Sequence, residues 1–227
     1  VWGARPHTGE TAPMPEGHII HRLARELRST LGGVPVTASS PQGRFAKSAA
    51  LLDGNPLRRA DAYGKYLFAT WDAAGSDTIL HIHLGLIGKL RRVEPESPER
   101  PTIRLRLRHD DVVWDLTGPS RCELVTPDER DAIVDRIGPD PLRRDADPSV
   151  FTHRLSATSR PIGAVLLDQG VVAGLGNIYV AETLYRARIS PLRLAGELTE
   201  PQVHALVPVI REVLAEAAER GVRWQRA

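Results

Sequence analysis

Near Thr126 the hydrophobic period of this chain turns from that of strands to that of helices, and that change does most to limit its possible folds. Before it lie short segments that read as strands: VPVTASS, LRRADAYGKYLFATWD, TILHIHLG, GKLRRV, TIRLRLR and VVWDL. In Ile103-Arg104-Leu105-Arg106-Leu107-Arg108 the two-residue alternation is that of a half-buried strand with an arginine face. Gly and Pro clusters separate these segments, which favours an antiparallel sandwich. One helix precedes them, because Ile19, Ile20, Leu23, Ala24, Leu27 and Leu31 recur at helical spacing and Gly32-Gly33 supplies a stop. After Thr126 the pattern is helical throughout: PDERDAIVDRI, PSVFTHRLSA, IGAVLLDQ, NIYVAETLYRAR and TEPQVHALVPVIREVLAEAAER. Strands followed by helices give an α+β fold in two parts, a β-sandwich domain over 14–125 and an all-α domain over 126–227. Gly138, Pro139, Pro141 and Pro148 crowd the junction, and residues 1–13 lack periodicity and read as a disordered lead-in.

With 227 residues, 41% of them hydrophobic, the chain is long enough for two modest cores. Of the thirty Lys plus Arg, nearly all are arginine, whose planar guanidinium grips phosphate oxygens bidentately. A GC-rich genome would produce the same bias, so composition alone leaves nucleic-acid binding open. The single cysteine, Cys122, excludes an internal disulfide and a multi-cysteine zinc site. His81 and His83 share a strand face but have no third ligand in pattern, so no metal is expected there. No apolar run approaches a membrane span and the first residues lack a signal-peptide centre, so the expectation is a cytoplasmic monomer.

Two segments carry candidate chemistry. In Met14-Pro15-Glu16-Gly17, a chain beginning at Pro15 would present a secondary amine titrating near pH 8, against about 10.4 for a lysine. Such an amine can attack a sugar carbon and become an iminium electron sink, with Glu16 as a general acid beside it. The ordinary alternative is a proline at a first helical turn followed by a dipole-favoured glutamate. The second segment, IGAVLLDQGVVAGLGNIYVAETLYRAR, is two helical patterns joined by a glycine-rich turn, with Asn177 placed to cap the second helix. Gly174 and Gly176 would let backbone approach a ligand, and a helix N-terminus favours phosphate. A plain structural hairpin fits that segment equally well.

Taken with SSPQGRF, GKYLF, HIHLGLIG, DLTGPSRCELVTP and GPDPLRRDADPS, these segments resemble, in order, the formamidopyrimidine glycosylase and endonuclease VIII family of base-excision enzymes. They look most like its actinobacterial endonuclease VIII-like members. The resemblance implies a helix-two-turn-helix DNA-binding domain behind the sandwich and damaged DNA as partner. It also implies removal of an oxidised base, with a pyrimidine expected, followed by β or β,δ elimination. Residue by residue, Pro15 matches the Schiff-base nucleophile and Glu16 its acid–base partner. Lys65 matches a lysine at the phosphate beside the lesion, Asn177 a phosphate-gripping asparagine, and Leu86 an apolar wedge filling the hole left by a flipped base. Core packing is the competing role for Leu86.

Three departures qualify the resemblance. Ile19 occupies the place of a family acid three residues after the catalytic glutamate. No CxxC pair occurs, so no cofactor is expected in this chain, and zinc would belong to a C-terminal finger missing from it. Finally, with residues 1–14 attached the Pro15 nitrogen is a tertiary amide and cannot attack, so Met14 is the expected true start. A catalytically impaired DNA-damage binding protein is the alternative. An RNA-associated helical module would explain the helix-turn-helix but neither MPEG nor GKYLF.

Overall fold

A computed structural model describes residues 15–73 and 76–224; the lead-in and the Met14 start lie outside the described residues. Helix α1 spans Gly17–Leu31 and buries Ile20, Leu23, Ala24, Leu27 and Leu31 against the sheet, the face expected from their spacing. Eight strands follow: β1 (Pro35–Ser39), β2 (Asn55–Tyr63), β3 (Tyr66–Ala73), β4 (Ser76–His83), β5 (Lys89–Val93), β6 (Ile103–His109), β7 (Val112–Thr117) and β8 (Arg121–Val125). A short helix α2 (Ala46–Leu52) lies between β1 and β2. All described pairings between strands are antiparallel, in the order β5-β7-β6-β1-β2-β3-β4-β8. Strand β1 joins the two halves, since Pro35 and Val36 pair with β2 whereas Thr37 to Ser39 pair with β6. Both halves and α1 enclose one core, which holds Trp71, Trp114, Leu57, Leu67, Leu80, Leu105 and Leu107.

The sequence reading differs from this in four places. LRRADAYGKYLFATWD is not one strand segment but a hairpin, turning at Gly64-Lys65 between the Tyr63–Tyr66 pair. Gly64 has φ +54°, as two-residue hairpin turns of primed type require at their first central position. The alternation in β6 does not yield a free arginine face. Arg106 is buried and forms a two-pronged pair with Asp115 on β7 at 2.7 and 2.8 Å, and Arg108 donates to the Pro95 carbonyl. Those guanidinium groups are therefore spent inside the domain and not available to phosphate. Elements α2 and β8 are the other two differences, because neither has a periodic run long enough to announce itself.

Helix α3 (Pro127–Val134) starts in a reciprocal capping box between Thr126 and Glu129. Ile133 and Val134 pack on Phe68, Ile79 and Val125, so α3 rests on the sheet although it lies beyond the change of period. The second core is helical: α4 (Pro148–Ser156), α5 (Ile162–Leu167), α6 (Asn177–Ala187) and α7 (Glu200–Trp224) bury Phe151, Leu155, Leu166, Leu184, Leu206 and Leu214 together. Among the described residues no helix is long and apolar enough to cross a membrane.

Candidate active site at the domain junction

Three glycines bring the two domains to backbone contact. The Gly17 amide donates to the Gly174 carbonyl at 2.8 Å. A Cβ on Gly17 would lie 2.8 Å from Gly174 Cα, and one on Gly64 would lie 2.9 Å from the Gly174 nitrogen. Gly174 itself has φ +94°, a conformation that L side chains rarely adopt. Beneath this contact the buried carboxylate of Asp140 accepts from the Gly64 amide and from His21 Nε2, each at 2.7 Å, and from the Leu142 amide at 2.9 Å. Asp140 thus ties α1, the β2–β3 turn and the interdomain strap together. Neither Asp140 nor His21 stands out in the sequence. An acid within Gly-Pro-Asp-Pro reads as linker, and its sole clue is that so short a connection carries a charged residue flanked by prolines.

Glu16 lies at the centre of the junction, with only 1% of its surface exposed. Its Oε2 accepts from the Gly176 amide at 2.7 Å, and Oε1 is buried without a hydrogen-bond partner. Burial pushes the Glu16 carboxyl above the usual carboxylate range, partly offset by the Gly176 amide, the Lys65 charge and the amides of Ile178 and Tyr179. Those amides begin α6, so the carboxyl of Glu16 occupies the place of an N-cap. Asn177 therefore does not cap the helix as expected: it is the first helical residue, the N-cap is Gly176, and no side chain of the cap position bonds there. Freed from that task, Asn177 is exposed at the helix N-terminus.

Lys65, at the hairpin tip, is half-buried, and burial lowers its pKa while the nearby Glu16 charge raises it. A carboxyl shifted up and an ammonium shifted down thus lie within each other's field, the kind of pairing found where protons are transferred. Pro15 immediately precedes Glu16 and is half-buried. Leu86 and Ile87 are 75% and 78% exposed in the β4–β5 turn, so Leu86 takes no part in a core. That turn is braced by Ser120, whose hydroxyl donates to the His83 carbonyl at 2.9 Å and lies 2.7 Å from His83 Nδ1. Burial, then the neighbouring His81 and the charges of Lys65 and Arg121, push the His83 imidazole below the ordinary histidine range.

His81 is buried, 3.1 Å from Glu123 and stacked on Phe68. Among the described residues no group of three His, Cys, Asp or Glu side chains could hold a metal ion. Cys122 is partly buried with its thiol pushed up to about 12, a poor metal ligand. The described residues therefore offer no set of ligands for a zinc ion.

Residues 14–132 match the model of the formamidopyrimidine-DNA glycosylase N-terminal domain, and residues 137–226 that of the formamidopyrimidine-DNA glycosylase H2TH domain. Endonuclease 8 1 of Mycobacterium tuberculosis (strain H37Rv) is 45% identical over 213 residues, covering 92% of this chain and 78% of that protein. A formamidopyrimidine-DNA glycosylase of Cereibacter sphaeroides (strain ATCC 17025) is 35% identical over 231 residues, covering 92% and 80%. Among solved structures, Lactococcus lactis Fpg in complex with DNA containing N7-benzyl-Fapy-dG superimposes with a TM-score of 0.76 at 28% identity, covering 90% of this chain and 79% of that one.

Proposed function

The chain belongs to the formamidopyrimidine-DNA glycosylase and endonuclease 8 family of base-excision repair enzymes, which are DNA glycosylases and AP lyases, and from that premise we propose that Pro15 and Glu16 perform its chemistry. The observation that carries this reading is the buried carboxyl of Glu16, fixed by the Gly176 amide next to Pro15 and within the field of Lys65. In the proposed course, Glu16 gives a proton to the sugar ring oxygen. The Pro15 nitrogen bonds to C1′ as the bond from C1′ to the damaged base breaks, and the proton that the amine gives up is matched by the one with which the base leaves. Breaking of the bond from C1′ to the protonated ring oxygen leaves an iminium between Pro15 and C1′; loss of a C2′ proton passes its electron pair to the iminium as an enamine, and that pair then expels the 3′ phosphate from C3′. Lys65, His83 and Asn177 are assigned to the flanking phosphates, since each is polar, reachable and close to the same junction.

The base removed is read as an oxidised pyrimidine, supported by the similarity to the mycobacterial endonuclease 8 proteins. A single copy of the chain, acting on DNA in the cytoplasm without a cofactor, suffices for this chemistry. Because an amide nitrogen cannot attack, the reacting form must begin at Pro15. Borohydride trapping on an abasic duplex is expected to give a covalent adduct with the chain starting at Pro15, and none with residues 1–14 retained. Adducts with neither form would replace this reading by a noncatalytic role in binding damaged DNA.

Leu86 is assigned to the space left when the damaged nucleotide leaves the stack, where a wedge offsets an unstacking cost of about a few kcal/mol. Leu86→Ala is expected to slow single-turnover excision from duplex about tenfold, equivalent to ~1.4 kcal/mol, and to leave excision from a single strand unchanged. Equal losses on both substrates would remove the wedge role.

A further inference from the structure

Gln169 lies half-buried in the loop between α5 and α6, and the chemistry above makes no use of it. Its side-chain amide donates to the Leu167 carbonyl at 3.1 Å and the Leu175 carbonyl at 2.9 Å, and its Oε1 accepts from the Gly174 amide at 3.0 Å. Two acceptors and one donor match the amide's own capacity in only one orientation, so the group is fixed. Its backbone carbonyl adds a fourth tie by accepting from the Gly138 amide at 2.8 Å.

The Leu175–Gly176 peptide unit is held from both ends. Its carbonyl accepts from Gln169 Nε2, and its N–H donates to Glu16 Oε2. A hydrogen bond to a peptide carbonyl polarises the N–H of the same unit and strengthens the bond that N–H donates. Gln169 also holds the amide of Gly174, whose carbonyl anchors the start of α1 through Gly17. Both routes end on Glu16, one at its carboxyl and one at the backbone that carries it.

We propose that Gln169 is a positioning residue for base excision, setting the place and the proton affinity of Glu16 through the Leu175–Gly176 peptide. This inference rests on the reading of Glu16 as the proton donor. Loss of the Gln169 donor weakens the Gly176 bond, which favours the ionised carboxyl, so the Glu16 pKa rises further. A proton donor loses activity as pH rises through its pKa, so the alkaline limb belonging to Glu16 moves to higher pH.

The test compares the chain beginning at Pro15 with its Gln169→Met and Gln169→Glu variants in single-turnover excision of 5-hydroxyuracil from duplex across pH, with melting temperatures in parallel. Gln169→Met is expected to lose about tenfold to a hundredfold in rate, the scale of a misplaced reacting group, and to shift the alkaline limb upward. Gln169→Glu retains an acceptor for Gly174 but can donate to Leu175 only when protonated. Its rate relative to the parent is therefore expected to recover as pH falls. Variants that melt earlier while keeping the parent's limb would mark a merely structural role and overturn the inference. A parent that excises nothing overturns the reading of Glu16 and this inference with it; an active parent matched by Gln169→Met overturns the inference alone.

Discussion

Replacing Glu16 with glutamine is expected to cut base excision by about two to four orders of magnitude, the range for loss of a positioned general acid. Trapping on preformed abasic sites should fall much less, because there the base is already gone and part of the sugar is an open aldehyde ready for Pro15. The substitution should not unfold the protein. Glutamine still presents an oxygen to the Gly176 amide, and it removes an ionisable group from a site that exposes only 1% of its surface. The sign of the stability change follows from the raised pKa. Ionising Glu16 disfavours the folded state, an effect absent below the ordinary carboxylate pKa, growing from there up to the raised folded value and constant above it. Glu16→Gln escapes that cost, so its melting temperature should gain on the parent as pH increases. Single-turnover kinetics on lesion and abasic duplexes, with melting curves at several pH values, check both halves. Equal losses of excision and trapping would count against an acid role.

Much of this molecule can be read from its residues, and what cannot shares one cause. The apolar spacing from Ile20 to Leu31 gives α1 almost to the residue, because an amphipathic helix packed on a sheet needs that stripe and little else. Pro15, Glu16, Lys65 and Asn177 are visible as motif residues within a resemblance that runs from Pro15 to about Pro191. Their local patterns alone describe only a helix start, a strand lysine and a cap. The roles of Asp140 and His21 stay hidden because each acts on residues distant in sequence, as when Asp140 reaches Gly64 and His21. Asn177 shows the same limit from the other side. The side chain at the start of α6, where its sequence position suggests an Asn177 cap, is that of Glu16, which lies 160 positions before the Gly176 amide it accepts from.

Gly176→Ala is expected to reduce excision by about a hundredfold, the cost of shifting a reacting group by roughly an ångström. At φ −130° the backbone accepts alanine without strain, so the effect would come from contact alone. The new Cβ would lie 2.5 Å from both Cδ and Oε1 of Glu16, and the carboxyl is the part that must move. In a Glu16→Ala background, where nothing remains to be displaced, the same change should cost almost nothing further. That non-additivity separates a displaced carboxyl from a damaged loop. Losses that simply add, measured by single-turnover excision, would show that Gly176 matters for another reason.

The backbone contact among Gly17, Gly64 and Gly174 bears on how such enzymes can be recombined. The β and helical halves have separate cores, which marks a crossover near residue 137 as a place to splice two relatives. Yet the halves meet where main chains touch, and a side chain at any of the three positions would hold them apart. A chimera would keep two intact cores and still fail as an enzyme unless both parents brought the same bare surfaces to the seam. For this architecture the unit of inheritance is the seam, and the domains on either side are passengers.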